Sequence, residues 1–204
     1  DVLPHTEVKK NSDTEAELTR KNDAGDVVER TIATKQKDGS FVLDSAAYKD
    51  GRNVRDRIEA NADGSTRAQH ADWPGDKNET KDVKNFGDID RSKDPQLNYT
   101  DNKVSKGTGK DKDKLNVEQY SQAGGAVSGS KTTFFQDKKI DIDNKLEGPF
   151  DKKKPVDCAD TYSYSIPAPG ADGKQGNPQY QRTERSSQGS IQATAITNRE
   201  LDGH

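Results

Sequence analysis

Methionine is absent from the 204 residues, cysteine occurs once, and apolar runs such as Phe41-Val42-Leu43 stop after a few residues. Each shortage excludes something. A single cysteine, Cys158, leaves no intrachain disulfide and no Cys-based zinc cluster. Cys158 is expected to be buried as a small hydrophobe or joined to another chain. No stretch approaches the roughly 20 apolar residues of a bilayer-spanning helix, and the apolar belt of a membrane barrel is missing as well, so no membrane span is expected. A net charge of -3 provides no basic footprint for nucleic acid. The lack of methionine suits an oxidising exterior. The chain opens on Asp1, and we expect this to follow removal of a secretory signal.

Oil is scarce too. Hydrophobic residues make up 27% of the chain and charged residues 34%, against about 45–50% apolar (glycine included) and about 25% charged in ordinary domains. So little apolar surface leans towards disorder. The near balance of 33 basic and 36 acidic residues argues the other way, because charge-driven disorder usually carries a large net charge. A folded chain of this composition must draw on backbone pairing, bound ions or burial against neighbouring subunits.

What is present is turn chemistry. Asp23-Ala24-Gly25-Asp26, Lys37-Asp38-Gly39-Ser40, Lys49-Asp50-Gly51-Arg52 and Ala62-Asp63-Gly64-Ser65 recur about a dozen residues apart, the spacing of a β-meander. Between them the side chains alternate with period two: Val28, Arg30, Ile32 and Thr34 on one side, then Phe41, Leu43, Ser45 and Ala47, then Val54, Asp56, Ile58 and Ala60. Val54, Ile58 and Asn61 also have helical spacing, but two flanking Asp-Gly turns and the absence of a strong cap favour a strand over Arg52–Asn61. Both faces of these strands are thinly hydrophobic. Such a sheet needs cover from later segments or pairing with other chains.

The rhythm fades from Trp73 to Lys114, where Lys103–Lys114 reads as an exposed charged loop. Strand-like alternation returns over Leu115–Ser121, Thr132–Phe135, Ile140–Asp143, Thr161–Ile166 and Ser190–Thr197, with a Pro/Gly loop over Pro167–Pro178 and a small, flexible segment at Gly124–Gly129. The expected fold is mainly β: an antiparallel, hairpin-rich meander sheet or sandwich with long polar loops and little helix. Its expected regions are a β-meander over 1–102, the charged loop over 103–114 and a second β-rich region over 115–204, which the first region could also join as one domain.

Chemistry-bearing motifs are sparse. His5, His70 and His204 show no metal or acid–base spacing, and a His70–Cys158 nucleophile pair has no local signature. His70 reads as a surface or strand-packing histidine. Asp88-Ile89-Asp90 and Asp141-Ile142-Asp143 each put two carboxylates on one strand face. Asp141, Asp143 and Glu147 are candidate calcium ligands, although the EF-hand pattern is not matched and solvated strand faces are the simpler reading. Gly107-Thr108-Gly109-Lys110 lacks the spacing of a phosphate loop. Asn78-Glu79-Thr80 and Asn98-Tyr99-Thr100 match the glycan acceptor pattern. Tyr162 and Tyr164 share a strand face near Pro167 and Pro169, a ladder suited to cross-strand packing or to contact with a sugar or a partner strand.

No catalytic or cofactor motif stands out. The leading expectation is a non-enzymatic structural or interaction protein, secreted or at the cell surface, with the periplasm also compatible. It would be a subunit of a fibre or layer, or an adhesive module, assembling with itself or other protein subunits by strand-edge pairing. The alternative is a monomeric carbohydrate- or calcium-binding β-module, and the third reading is a secreted hydrolase. No cofactor is expected beyond possible Ca²⁺.

Overall fold

A computed structural model describes residues 5–75, 89, 96–107, 114–135, 158–185 and 191–196. Among the described residues there are strands and no helix. In chain order they are β1 (Thr6–Lys10), β2 (Glu15–Lys21), β3 (Val27–Lys35), β4 (Phe41–Lys49), β5 (Arg52–Ala60), β6 (Thr66–Pro74), β7 (Asn98–Lys106), β8 (Leu115–Ala123), β9 (Ala126–Phe135), β10 (Cys158–Ile166), β11 (Gln179–Arg185) and β12 (Ile191–Ile196). Strand order in the sheet follows chain order. The antiparallel meander expected from the sequence is the order the described strands take. The strand over Arg52–Asn61 prevails over the helix.

The turns explain the topology. Three of them share one construction. In Gln36–Ser40, the Gln36 N–H donates to the Ser40 carbonyl (2.7 Å), the Gly39 N–H donates to the Gln36 carbonyl (3.1 Å), and the Ser40 N–H donates to the Asp38 carboxylate (2.9 Å). Asn61–Ser65 and Gly170–Lys174 repeat it, with Asp63 and Asp172 as acceptors. This is the three-residue hairpin loop that closes on a left-handed residue. A Cβ on Gly39 (φ +88°) would meet nothing, so the backbone angle alone demands glycine there. In Asn22–Asp26 the middle position is Ala24, and the Asn22 side chain takes over by accepting from the Ala24 and Asp26 N–H groups (3.1 and 2.9 Å). Asp50-Gly51 and Gly124-Gly125 are two-residue turns with positive φ at both positions. Of the segment Gly124–Gly129 read as small and flexible, Gly124 and Gly125 form the tight turn between β8 and β9, and Ala126–Gly129 belong to β9.

Two compact units divide the chain: Asp1–Asp101 with Gln122–Gly125, and Asn102–Ser121 with Ala126–His204. In the first, register aligns side chains into rows across β1–β6. One face carries the rows Lys9–Glu17–Ile32–Asp44–Arg57–Gln69 and Glu7–Thr19–Arg30–Ala46–Arg55–Ala71. The other carries Lys10–Ala16–Ala33–Leu43–Ile58–Ala68 and Val8–Leu18–Thr31–Ser45–Asp56–His70. Asp44, Ala46, Asn53, Arg55 and Ala71 are buried and all lie on the first, covered face. Tyr99 of β7, also buried, joins them: the Gln69 amide donates to its hydroxyl at 2.8 Å.

Charge replaces oil on that face. Arg30 pairs with Glu17 at 2.9 Å, and Arg57 pairs with Asp44 at 3.2 Å and Glu59 at 2.6 Å. Arg67 grips Asp101 through two nitrogens at 2.9 and 2.6 Å. That bond holds the guanidinium above its ordinary pKa, partly offset by burial. Arg55 lies over the Trp73 ring, 5.7 Å from its centroid. Cross-strand pairs of this kind contribute roughly 0.2–1 kcal/mol each.

In the second unit, β10 pairs with β9 on one side and β11 on the other, and β11 pairs with β12. The Thr133 hydroxyl donates to the Asn116 side-chain oxygen (3.0 Å), tying β9 to β8. β7 runs through Lys106, so Lys103–Lys106 belong to a strand where the sequence suggested a loop. The strand persists because backbone pairing does not require apolar side chains. The Gly107 N–H then donates to the Lys114 carbonyl at 2.9 Å.

Candidate functional site

Three places in the described residues merit attention as sites. The first is the edge strand β1. The Lys21 N–H donates to the His5 carbonyl (3.0 Å), and the Asn11 N–H donates to the Glu15 carbonyl (2.9 Å). In an antiparallel pair, bonding alternates along the strand. The odd-numbered residues of β1 therefore bond to β2. Thr6, Val8 and Lys10 point their N–H and C=O groups away from it. In the sheet order β1 has one neighbour. Val8 is 68% exposed, more than Ile58 (48%) or Phe41 (39%), and all three lie on the open face.

The second place is a polar cluster on the same open face. Hairpin register sets His70 of β6 opposite Asp56 of β5. The imidazole Nδ1 lies 2.7 Å from Asp56 and Nε2 lies 3.2 Å from Asp72. Asp72 also receives Arg52 Nε and, at 3.0 Å, the Asn98 amide. Arg52 further donates to the carbonyls of Asp72 (3.1 Å) and Gln96 (3.0 Å). The Asp56 hydrogen bond chiefly raises the His70 pKa, opposed by burial and helped by Asp72. Burial works to raise the Asp72 pKa, but the bonds from Arg52, Asn98 and His70 outweigh it, and the net shift is downward. The carboxylates flank opposite ring nitrogens, so both nitrogens are occupied by anions. This arrangement favours the imidazolium form of the ring. Among the described residues, no group of three or more His, Cys, Asp or Glu could hold a metal ion.

The third place is the tyrosine ladder of the second unit. Tyr162 and Tyr164 do share a face of β10. Register puts Tyr164 between Gly129 of β9 and Tyr180 of β11, and Tyr162 between Lys131 and Arg182. The Tyr164 ring lies over Gly129, where a Cβ would collide with it, and its centroid is 6.5 Å from that of Tyr180. Bare glycine beside a cross-strand aromatic is a known sheet-stabilising pair. Arg182 stands 5.0 Å over the Tyr162 ring and binds Asp160 through two nitrogens at 3.1 and 3.0 Å. Burial, then the charge of Asp160, raises the Tyr162 pKa. An open groove runs past Ser163, Tyr164, Ser165, Pro178, Gln179 and Tyr180.

The remaining candidates divide simply. Asp141, Asp143, Glu147, Asn78, Asp88, Asp90 and His204 lie outside the described residues. Asn98, a glycan acceptor by pattern, is half-buried with its amide bonded to Asp72. Cys158 opens β10 opposite Phe135. Sequence reasoning placed His70 on a strand but missed both its carboxylate partners and the outward-facing backbone of β1. The Asp63-Gly64 turn was the available signal for the first, since Asp56 and His70 are equally distant from it.

Comparison with protein-family models, with curated proteins and with solved structures returns no match to this chain.

Proposed function

We propose that this chain is an exported structural or interaction protein, a subunit of a surface or extracellular fibre or layer or an adhesive module, which assembles by strand-edge pairing. The observation that carries the reading is the open meander: strands added in chain order, with the outward backbone groups of Thr6, Val8 and Lys10 at the β1 edge. Two further features support it. Buried polar residues are as prominent as buried apolar ones among the described residues, so contacts with neighbours add burial that the chain lacks. Many of the charged groups among the described residues pair with one another. His70 is held between two carboxylates. The absence of methionine fits an oxidising exterior.

The test is sedimentation velocity over a wide concentration series, with negative-stain microscopy of the concentrated sample. Concentration-dependent oligomers or filaments are the expected result. A folded monomer at every concentration overturns the reading. A second reading, carbohydrate binding, draws on the groove beside Tyr164 and Tyr180, where aromatic rings adjoin serine and glutamine side chains.

A further inference from the structure

The β1 edge is self-complementary about Val8. Along Thr6–Lys10 the side chains run Thr, Glu, Val, Lys, Lys, and pairing with β2 sets Glu7 and Lys9 on the covered face and Thr6, Val8 and Lys10 on the open face. Consider a second copy laid antiparallel against this edge with its two-fold axis at Val8. Val8 then faces the partner's Val8, and the two exchange both of their outward N–H···O bonds. Thr6 faces the partner's Lys10, and Lys10 the partner's Thr6, again through outward-pointing backbone groups. On the covered face, Glu7 meets the partner's Lys9 and Lys9 meets the partner's Glu7.

Neighbouring registers fail this match. Moving the axis to Glu7 opposes Glu7 to the partner's Glu7, and moving it to Lys9 opposes Lys9 to the partner's Lys9. Like charges directly opposite are destabilising, and opposite charges stabilise. Lys9 has no ion-pair partner among the described residues, while Glu7 is two-thirds exposed even with Lys21 Nζ at 2.6 Å. Val8, the most exposed large apolar side chain among the described residues, gains cover from its symmetry mate, and the open-face row that begins Val8–Leu18 continues across the axis.

We infer that β1 is a homodimerisation edge, joining two copies of this chain antiparallel in the Val8-centred register. The inference rests on the edge-pairing reading above and deepens it by naming the partner, the strand and the register. The charged residues on this edge act as a selector. Glu7 and Lys9 discourage other pairings, as edge charges commonly do, and admit one. An isologous contact of this kind closes on itself, so β1 yields a dimer and any longer assembly must use another surface.

The experiment is sedimentation velocity of the full chain in reducing buffer, which removes any contribution from a Cys158 cross-link. Wild type is expected to dimerise. Lys9→Glu, which breaks no ion pair among the described residues, should weaken the dimer about tenfold or more. Val8→Pro removes an outward donor without touching the β1–β2 bonds, and proline is tolerated on edge strands, so it should abolish the dimer while the fold remains. Glu7→Lys alone should also dissociate, and mixing E7K with K9E should restore a heterodimer, because both charge pairs are again opposite. Association indifferent to Lys9→Glu and Val8→Pro overturns this inference and leaves edge pairing elsewhere standing. A chain that never associates overturns both.

Discussion

The two faces of the β1–β6 sheet invert the usual arrangement. The covered face buries Asp44, Asn53 and Arg55, while the open face displays Phe41, Ile58 and Val8. Ordinarily the apolar face of a sheet is the buried one. Here long polar side chains of the covered face pair with one another: Arg57 with Asp44 and Glu59, Arg67 with Asp101, Gln69 with Tyr99. The open face keeps a single apolar row, Ala16–Ala33–Leu43–Ile58–Ala68, mostly of alanines. What the difference teaches is that burial and hydrophobicity are separable. A polar face can be buried when register delivers partners to its charges.

Substitutions can break that comparison. The largest effect is expected at Tyr99, which is 3% exposed. Tyr99→Ala removes a buried ring and leaves Gln69 and Asp101 without its hydroxyl, and should cost about 3 kcal/mol in urea denaturation. Phe41→Ala on the open face should cost about 0.5 kcal/mol. Equal losses would remove the distinction between the faces. Next comes Asn53, fully buried with neither amide atom hydrogen-bonded among the described residues. Leucine has nearly its shape, so Asn53→Leu should stabilise the chain by about 1 kcal/mol, seen as a raised denaturation midpoint. A loss of stability would mean that the amide is satisfied in solution.

The smallest effect belongs to His70. Its folded pKa is raised, so the contribution of its imidazolium is complete below the unfolded value of about 6.5 and disappears as pH rises through the folded pKa. The Asp72 pKa is lowered, so its share is present above about 3.9 and fades as pH falls through the folded value. The cluster is therefore strongest in mildly acidic solution. An NMR titration should place the His70 midpoint above that of an unstructured histidine. Asp56→Asn should lower it more than Asp72→Asn, since the Asp56 bond is the leading cause. A reversed order would show that Asp72 holds the ring.

The sequence displays the fold best where turn chemistry is strong. The Asp38-Gly39, Asp50-Gly51 and Asp63-Gly64 turns mark β3–β6, and alternation marks β10 and β12. It hides β1, β2, β7 and β11. Those strands read TEVKK, EAELTRK, NYTDNKVSK and QYQRTER, and their few apolar side chains give at most a short period-two signal, Ala16 and Leu18 in β2. Their order comes from partners on other strands. Arg67 and Asp101 stand 34 residues apart, and Arg182 and Asp160 stand 22 apart, so no local window contains both members. The Tyr162–Tyr164 face was legible from spacing alone, but Gly129 beneath Tyr164 was not, because it takes the β9–β10 register to bring them together.

Chain-order pairing also bears on how such a protein comes into being. Each strand's first partner is its predecessor, so its contacts span short stretches of chain and the entropy of closing large loops is mostly avoided. Assembly can begin at any of the tight turns and spread sideways one strand at a time, much as in repeat arrays with nearest-neighbour coupling. On the same logic, a hairpin gained or lost during evolution disturbs only the strands beside it, which lets a lineage lengthen or shorten the ribbon without redesigning the remainder.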